Sequence, residues 1–194
     1  MTTAAASYEP GPDDALLIVD LQNDFLPGGA LGVPGGDEVI PVANRYVAAF
    51  TRAGRPVFYS RDWHPADHCS FAAAGGSWPE HCVQGTAGAA FSAELEHPAD
   101  VVVISKGTRP DAEAYSAFEG TALGERLAAA GVKRLLVLGL ATDYCVQASV
   151  LDGLAAGLAV VVPTAGVRAV NVEAGDGDRA LARMRAAGAA LIDG

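Results

Sequence analysis

Four short apolar runs, each leading into a residue able to do chemistry, constrain this chain more than any other feature of its sequence. Ala15 to Val19 (ALLIV) runs into Asp20, and Pro56 to Ser60 (PVFYS) into Arg61-Asp62-Trp63-His64. Val101 to Ser105 (VVVIS) runs into Lys106, and Arg134 to Leu138 (RLLVL) leads through Leu140-Ala141-Thr142-Asp143 to Cys145. Runs that are apolar at every position, rather than alternating, belong to strands buried on both faces. Helical stretches separate them: Asp37 to Ala53, closed by Gly54; Phe118 to Ala130, closed by Gly131; about Asp143 to Ala156, closed by Gly157; and about Val172 to Ala187. Two further strands are expected at Leu158 to Val162 and Ala189 to Ile192. The alternation predicts an α/β fold, a three-layer αβα sandwich with a mainly parallel sheet of about six strands.

At 194 residues the chain suits one domain, 1–194, large enough to bury a core without disulfides, with residues 1–13 expected as a flexible tail. A formal net charge of -10 with no basic cluster argues against nucleic-acid and anionic-membrane partners, which require a local excess of Lys and Arg. The N-terminus lacks a basic stretch followed by an apolar one, and no apolar run approaches the ~18 residues of a membrane span, so a cytoplasmic protein is expected. Three cysteines, Cys69, Cys82 and Cys145, are an odd number that favours free thiols over a disulfide framework.

In a parallel sheet, ligands collect outside the carboxyl ends of the strands, where Asp20, Lys106 and Cys145 fall. Thr142 or Asp143 is a natural N-cap for the helix that follows, which would place Cys145 in a first turn whose dipole and free N–H groups favour a thiolate. Those N–H groups, with that of Ala141, suit an oxyanion. Asp20 can take the thiol proton, and the Lys106 ammonium beside both would lower the thiol pKa. Cys69 and Cys82 sit in a loop without a helix N-terminus and are read as non-catalytic.

A second constellation is Asp62-Trp63-His64 with His68 and His81, which includes three of the four histidines. Residues two apart in an extended segment project to one side, so Asp62 and His64 can face one ion. Asp62, His64 and His81 are the first-choice ligands of a divalent metal, with His68 a weaker fourth. Mixed imidazole and carboxylate donors suit zinc first, then iron or manganese.

Five segments then match one family: Val19-Asp20-Leu21-Gln22-Asn23-Asp24-Phe25, Arg61-Asp62-Trp63-His64-Pro65, Trp78-Pro79-Glu80-His81-Cys82-Val83, Ser105-Lys106-Gly107 and Ala141-Thr142-Asp143-Tyr144-Cys145-Val146. Through them the chain resembles the nicotinamidase/pyrazinamidase branch of the isochorismatase-like hydrolases. The resemblance implies a catalytic triad of Asp20, Lys106 and Cys145, an oxyanion hole at Ala141 and Cys145, and a metal held by Asp62, His64 and His81. It also implies a cis peptide at Leu140–Ala141 and a substrate ring walled by Phe25, Trp78 and Tyr115, although Tyr115 suits core packing nearly as well. Tyr144 stands where some relatives carry histidine.

The activity implied is hydrolysis of nicotinamide to nicotinate and ammonia through a cysteine thioester, with pyrazinamide as a second substrate. Two other readings stay open: a cysteine hydrolase of the same scaffold acting on a different small amide or ester, and a metal-binding or redox-sensing module without hydrolase activity. A homo-oligomer is compatible with the sequence, but no surface stripe specifies one.

Overall fold

In the computed structural model, residues 8–193 are described, so the first seven residues of the expected tail lie outside the described part. The rest of that segment does not behave as a free tail. The Tyr8 ring stacks on Phe50 at 6.0 Å, and its hydroxyl donates to Asp14 at 2.8 Å.

Among the described residues, seven strands form one sheet, six of them in the order β3, β2, β1, β4, β5, β7 and the seventh, the short β6, off this path, with every pairing parallel. They are β1 (Asp14–Val19), β2 (Val57–Asp62), β3 (Val102–Lys106), β4 (Arg134–Leu140), β5 (Ala159–Pro163), β6 (Val167–Arg168) and β7 (Ala190–Ile192). The short β6 pairs with the end of β4 beyond the reach of β5; at two residues it carries no periodicity a sequence reading could detect. The helices are α1 (Val39–Arg52), α2 (Leu123–Ala129), α3 (Gln147–Ala155) and α4 (Asp176–Ala186). The chain steps one way from β1 to β3 and the other way from β4 to β7. Right-handed crossovers therefore put α1 on one face and α2, α3 and α4 on the other.

All six residues of β1 are buried, and in β4 only Arg134 is not. Burial on both faces explains why these runs do not alternate. β2 and β3 extend further than their apolar stretches suggest, so Asp62 and Lys106 are the last residues of their strands. The sheet register sets them directly opposite each other, as it sets Val19 opposite both Ser60 and Gly139. β1 and β4 lie where the winding direction reverses, the place where such sheets open a crevice. Among the described residues, no helix is long and apolar enough to cross a membrane.

Candidate active site

Asp20 leaves β1 with a left-handed backbone, φ 51, a conformation non-glycine residues rarely hold outside sites that over-determine it. Its side chain is fully buried. Ser60 Oγ donates to Oδ1 at 2.7 Å. Oδ2 lies 2.9 Å from Lys106 Nζ, an ion-pair approach that lacks hydrogen-bond alignment, so this oxygen has no hydrogen-bond donor among the described residues. Lys106 also pairs with Asp62 Oδ1 and donates to Cys145 Sγ at 3.3 Å and to the Ala114 carbonyl at 3.4 Å. One buried ammonium is thus shared between two carboxylates and the thiol. Oxygen atoms of both carboxylates and the sulfur lie within 4.8 Å of one another.

The electrostatics correct one expectation. Burial pushes the Cys145 thiol well above its usual value; Lys106 pulls the other way, but Asp20 and Asp62 reinforce the rise. Burial, reinforced by the two carboxylates, outweighs the pull of the ammonium, so the thiol is held neutral rather than lowered in pKa. Burial also raises Asp20, against the pull of Lys106 and with the repulsion of Asp62. For Asp62, burial is outweighed by Lys106 and His64, which hold the carboxyl well below its usual range. Burial disfavours the Lys106 charge, yet Asp20 and Asp62 more than compensate and keep it firmly protonated. The arrangement is a thiol beside a carboxylate of raised proton affinity.

Cys145 belongs to a π-helical turn, Thr142–Val146, that runs directly into α3, and the Leu140–Ala141 bond before it is cis. The N–H groups of Tyr144 and Val146 both donate to the Ala141 carbonyl at 3.1 Å. Neither Thr142 nor Asp143 caps the helix as expected. The turn starts straight from β4 with Ala141 at the cap position, and the Asp143 carboxylate instead accepts the N–H groups of Val170 and Asn171 at 2.9 and 2.8 Å.

Asp62, His64 and His81 offer one ligand atom each within 4.8 Å of one another. His64 Nδ1 faces the Gly107 carbonyl at 2.9 Å, and His81 Nδ1 faces that of Pro79 at 2.8 Å. With Nδ1 the donor in both rings, each Nε2 lone pair is left free for an ion beside Asp62 Oδ2, which lies 3.6 and 4.0 Å away, the orientation that metal-binding imidazoles take. The donor set fits a divalent transition ion. Gly107 is required here: its φ is 59, and a Cβ would run into the His64 ring.

His68 lies outside that set. Its Nδ1 takes hydrogen bonds from Ser70 Oγ at 2.7 Å and Ser70 N at 3.3 Å, so Nε2 carries the proton and donates to Ala112 O at 3.1 Å. The ring lies tilted by 31° against His64 with centroids 4.1 Å apart and groups with His64 and Glu113 rather than with Asp62 and His81.

Two positioning groups escaped the sequence reading, although both stand in its first matched segment. Gln22 binds the backbone of Asp62 on both sides. Asp24 Oδ2 accepts the N–H of Cys82 at 2.7 Å, holding that residue at φ 48 beside His81. The local signal was a pair of amide and carboxylate side chains directly after a strand end.

One cavity adjoins both groups of residues. Cys145, Ala141, Asp62 and His81 line it, with Phe25, Trp78 and Tyr115 as expected and Tyr144 in addition. Trp78 Nε1 donates to the Tyr115 hydroxyl at 3.0 Å, and the Trp78 and Tyr144 rings meet edge-on at 5.1 Å. Tyr115 is therefore a wall residue rather than core filling. Leu31, Val33, Glu113 and Val170 complete the lining without having been anticipated. Leu31 and Val33 are the apolar pair within the glycine-rich stretch after Phe25, the signal that could have marked them.

The sequence profile of the isochorismatase domain matches residues 14–194. The chain is similar to the nicotinamidase of Escherichia coli, 43% identical over 201 residues that cover 93% of this chain and 94% of that protein. It is 40% identical to the nicotinamidase/pyrazinamidase of Mycobacterium tuberculosis, covering 92% and 97% of the two chains. Among solved structures, the pyrazinamidase of Pyrococcus horikoshii in complex with zinc superposes with a TM-score of 0.90 at 46% identity, over 94% of this chain and 100% of that one. A protein from L. infantum in complex with nicotinate superposes with a TM-score of 0.87 at 35% identity, over 96% of each chain.

Proposed function

The chain belongs to the isochorismatase family, and within it we propose that this protein is a nicotinamidase, an amidohydrolase that converts nicotinamide to nicotinate and ammonia and also accepts pyrazinamide. The observation that carries the reading is the junction of Asp20, Lys106 and Cys145 with the Asp62, His64 and His81 donor set at one aromatic-walled cavity. A flat ring carrying a carboxamide fits these two ends: a ring nitrogen toward the donor set, an amide carbon toward the sulfur.

Asp20 takes the proton of the Cys145 thiol as the sulfur attacks the amide carbon. The thiol needs this partner because its surroundings hold it neutral. The charge that develops on the carbonyl oxygen is held by the N–H groups of Ala141 and Cys145. Asp20 returns the proton to the amide nitrogen, the C–N bond breaks, and ammonia leaves a thioester on Cys145. Water, deprotonated by Asp20, then adds to the thioester, and nicotinate departs as the thiol is restored. Lys106 stays protonated and offsets the negative charge at each stage. Splitting one amide cleavage into two acyl transfers is the usual gain from covalent catalysis.

Asp62, His64 and His81 would hold one divalent ion, zinc first, with iron or manganese as alternatives. Such an ion supplies a Lewis-acid anchor for the ring nitrogen, directly or through a bound water. The engaged nitrogens of His68 leave it out of this ligand set. The net charge of -10, with no basic cluster, weighs against a nucleic acid or an anionic membrane as a partner in this reading. A small carboxamide without an aromatic ring is the second reading, and the aromatic walls of the cavity weigh against it.

The test is ammonia release from nicotinamide, pyrazinamide and an aliphatic amide, with metal content measured before and after chelation. Turnover of the two ring amides, with a loss on the order of a thousandfold in Cys145→Ala, is expected. A Cys145→Ala protein as active as the parent would end the proposal.

A further inference from the structure

No step above uses Asp143, although it stands two residues before the nucleophile. Both of its carboxylate oxygens are engaged, accepting the consecutive N–H groups of Val170 and Asn171 at 2.9 and 2.8 Å. These residues lie in the connection between β6 and α4. Val170 lines the cavity with Cys145, whereas Val172 is 65% exposed and contributes little to holding the segment down. Asn171 has a left-handed backbone, φ 54, and its Oδ1 accepts the N–H of Gly177 at 2.9 Å. A Cβ at Gly177 would meet that of Ala169 at 2.6 Å, so the connection is seated tightly on the start of α4. Each of the two adjacent N–H donors takes its own oxygen of this short side chain, an arrangement that Asp provides and that Asn, whose second terminal atom is an NH2 donor, does not reproduce.

We infer that Asp143 is a positioning residue that ties the nucleophile turn to the β6–α4 connection and fixes Val170 as the cavity wall beside Cys145, making this pair a determinant of how tightly a flat ring amide is held. The inference rests on the function proposed above for what it says about substrate, though the tie itself does not depend on it. Losing the carboxylate lets Val170 drift and loosens the cavity, while Asp20, Lys106 and Cys145 keep their own partners.

The experiment compares Asp143→Ala, Asp143→Asn, Val170→Ala and the Asp143→Ala/Val170→Ala double variant in nicotinamide kinetics, with hydrogen exchange over residues 168–175. Truncating a wall contact is expected to raise KM about tenfold in Asp143→Ala while kcat stays within about threefold, with Asp143→Asn intermediate. The double variant should be no worse than Asp143→Ala alone, because both changes remove the same contact. Exchange over 168–175 should rise in Asp143→Ala and stay unchanged in β1. An unchanged KM, a loss confined to kcat, or additive single effects would overturn the inference. If the parent protein does not hydrolyse nicotinamide, the functional reading fails, and exchange alone judges the tie: parent-like protection in Asp143→Ala would sink it. Should Asp143→Ala not fold, Asp143→Asn and Val170→Ala carry the same comparison.

Discussion

The side-chain amide of Gln22 clasps Asp62 by both of its backbone groups: Nε2 donates to the Asp62 carbonyl at 2.7 Å and Oε1 accepts the Asp62 N–H, also at 2.7 Å. The same Nε2 reaches the Ala89 carbonyl at 2.9 Å, and Gln22 is completely buried. Asp62 pairs with Lys106 through one oxygen and faces His64 and His81 through the other, so the clasp sets the spacing of both halves of the site.

Gln22→Ala would strip three buried backbone groups of their partners. Each such group costs about 1–3 kcal/mol, less in sum where the backbone relaxes or water enters, so a stability loss of about 3 kcal/mol is expected. Metal affinity should fall by about 10–100-fold, as when an outer partner of a ligand is removed. Denaturant titration with and without zinc measures both, and a variant that keeps parental zinc affinity would show the clasp to be dispensable for the ligand set.

The chemistry at this sheet edge was legible because buried parallel strands leave an unmistakable apolar pattern and their carboxyl ends are where reactive groups gather. Asp20, Lys106 and Cys145 needed nothing more. The register that sets Asp62 against Lys106 was not legible, because it is fixed by pairing between strands 44 residues apart. The same holds for Gln22, whose partners are remote, and for β6, which exists only because the end of β4 outruns β5. The thiol was misjudged for a physical reason. A helix dipole and a lysine favour a thiolate only where burial does not outweigh them, and the sequence shows neither how deeply Cys145 is enclosed nor that Asp62 joins Asp20 beside the lysine.

That sharing makes Lys106 the stability centre of the site. Lys106→Met would leave Asp20 buried without a cation and take from Asp62 its main one, and breaking a buried ion pair this way costs about 3–5 kcal/mol. Cys145→Ala removes only a thiol and should cost about 1 kcal/mol. Thermal or denaturant unfolding of the two variants should therefore separate them clearly, and equal stabilities would contradict the shared-ammonium description.

Asp14 offers a test of pH dependence away from the catalytic groups. The residue is 3% exposed, and its carboxylate accepts from Tyr8 OH and Gly11 N at 2.8 Å each, and from Arg134 Nε and a terminal nitrogen at 2.8 and 2.6 Å. Burial alone would raise this carboxyl, but Arg134, the Gly11 N–H and Tyr8 together hold it below its ordinary value. A carboxyl with a lowered pKa in the folded state stabilises that state fully above its unfolded pKa, about 3.9, and loses the contribution as pH falls through the folded value. Asp14→Asn should thus cost about 2 kcal/mol near neutrality, with the gap to the parent closing below about pH 4. Urea titrations at a series of pH values measure it; a gap that widens in acid would reverse the assigned sign.

His68 provides the sharpest separation of ligand from neighbour. It lies against His64 at 4.1 Å, close enough to pass for a fourth ligand, yet two hydrogen bonds from Ser70 fix its Nδ1 as an acceptor and commit the Nε2 proton to Ala112. Recruiting it would mean breaking the Ala112 bond and removing that proton, a cost that Asp62, His64 and His81 do not face. His68→Ala should therefore still bind one ion per chain, with affinity lowered less than about tenfold, while His81→Ala should lose well over a hundredfold through the missing ligand. Competition with a chelator of known affinity gives both values on the same scale. If His68→Ala loses the ion as completely as His81→Ala, the ring must turn to the metal on binding, and the hydrogen bonds to Ser70 and Ala112 describe only the metal-free arrangement.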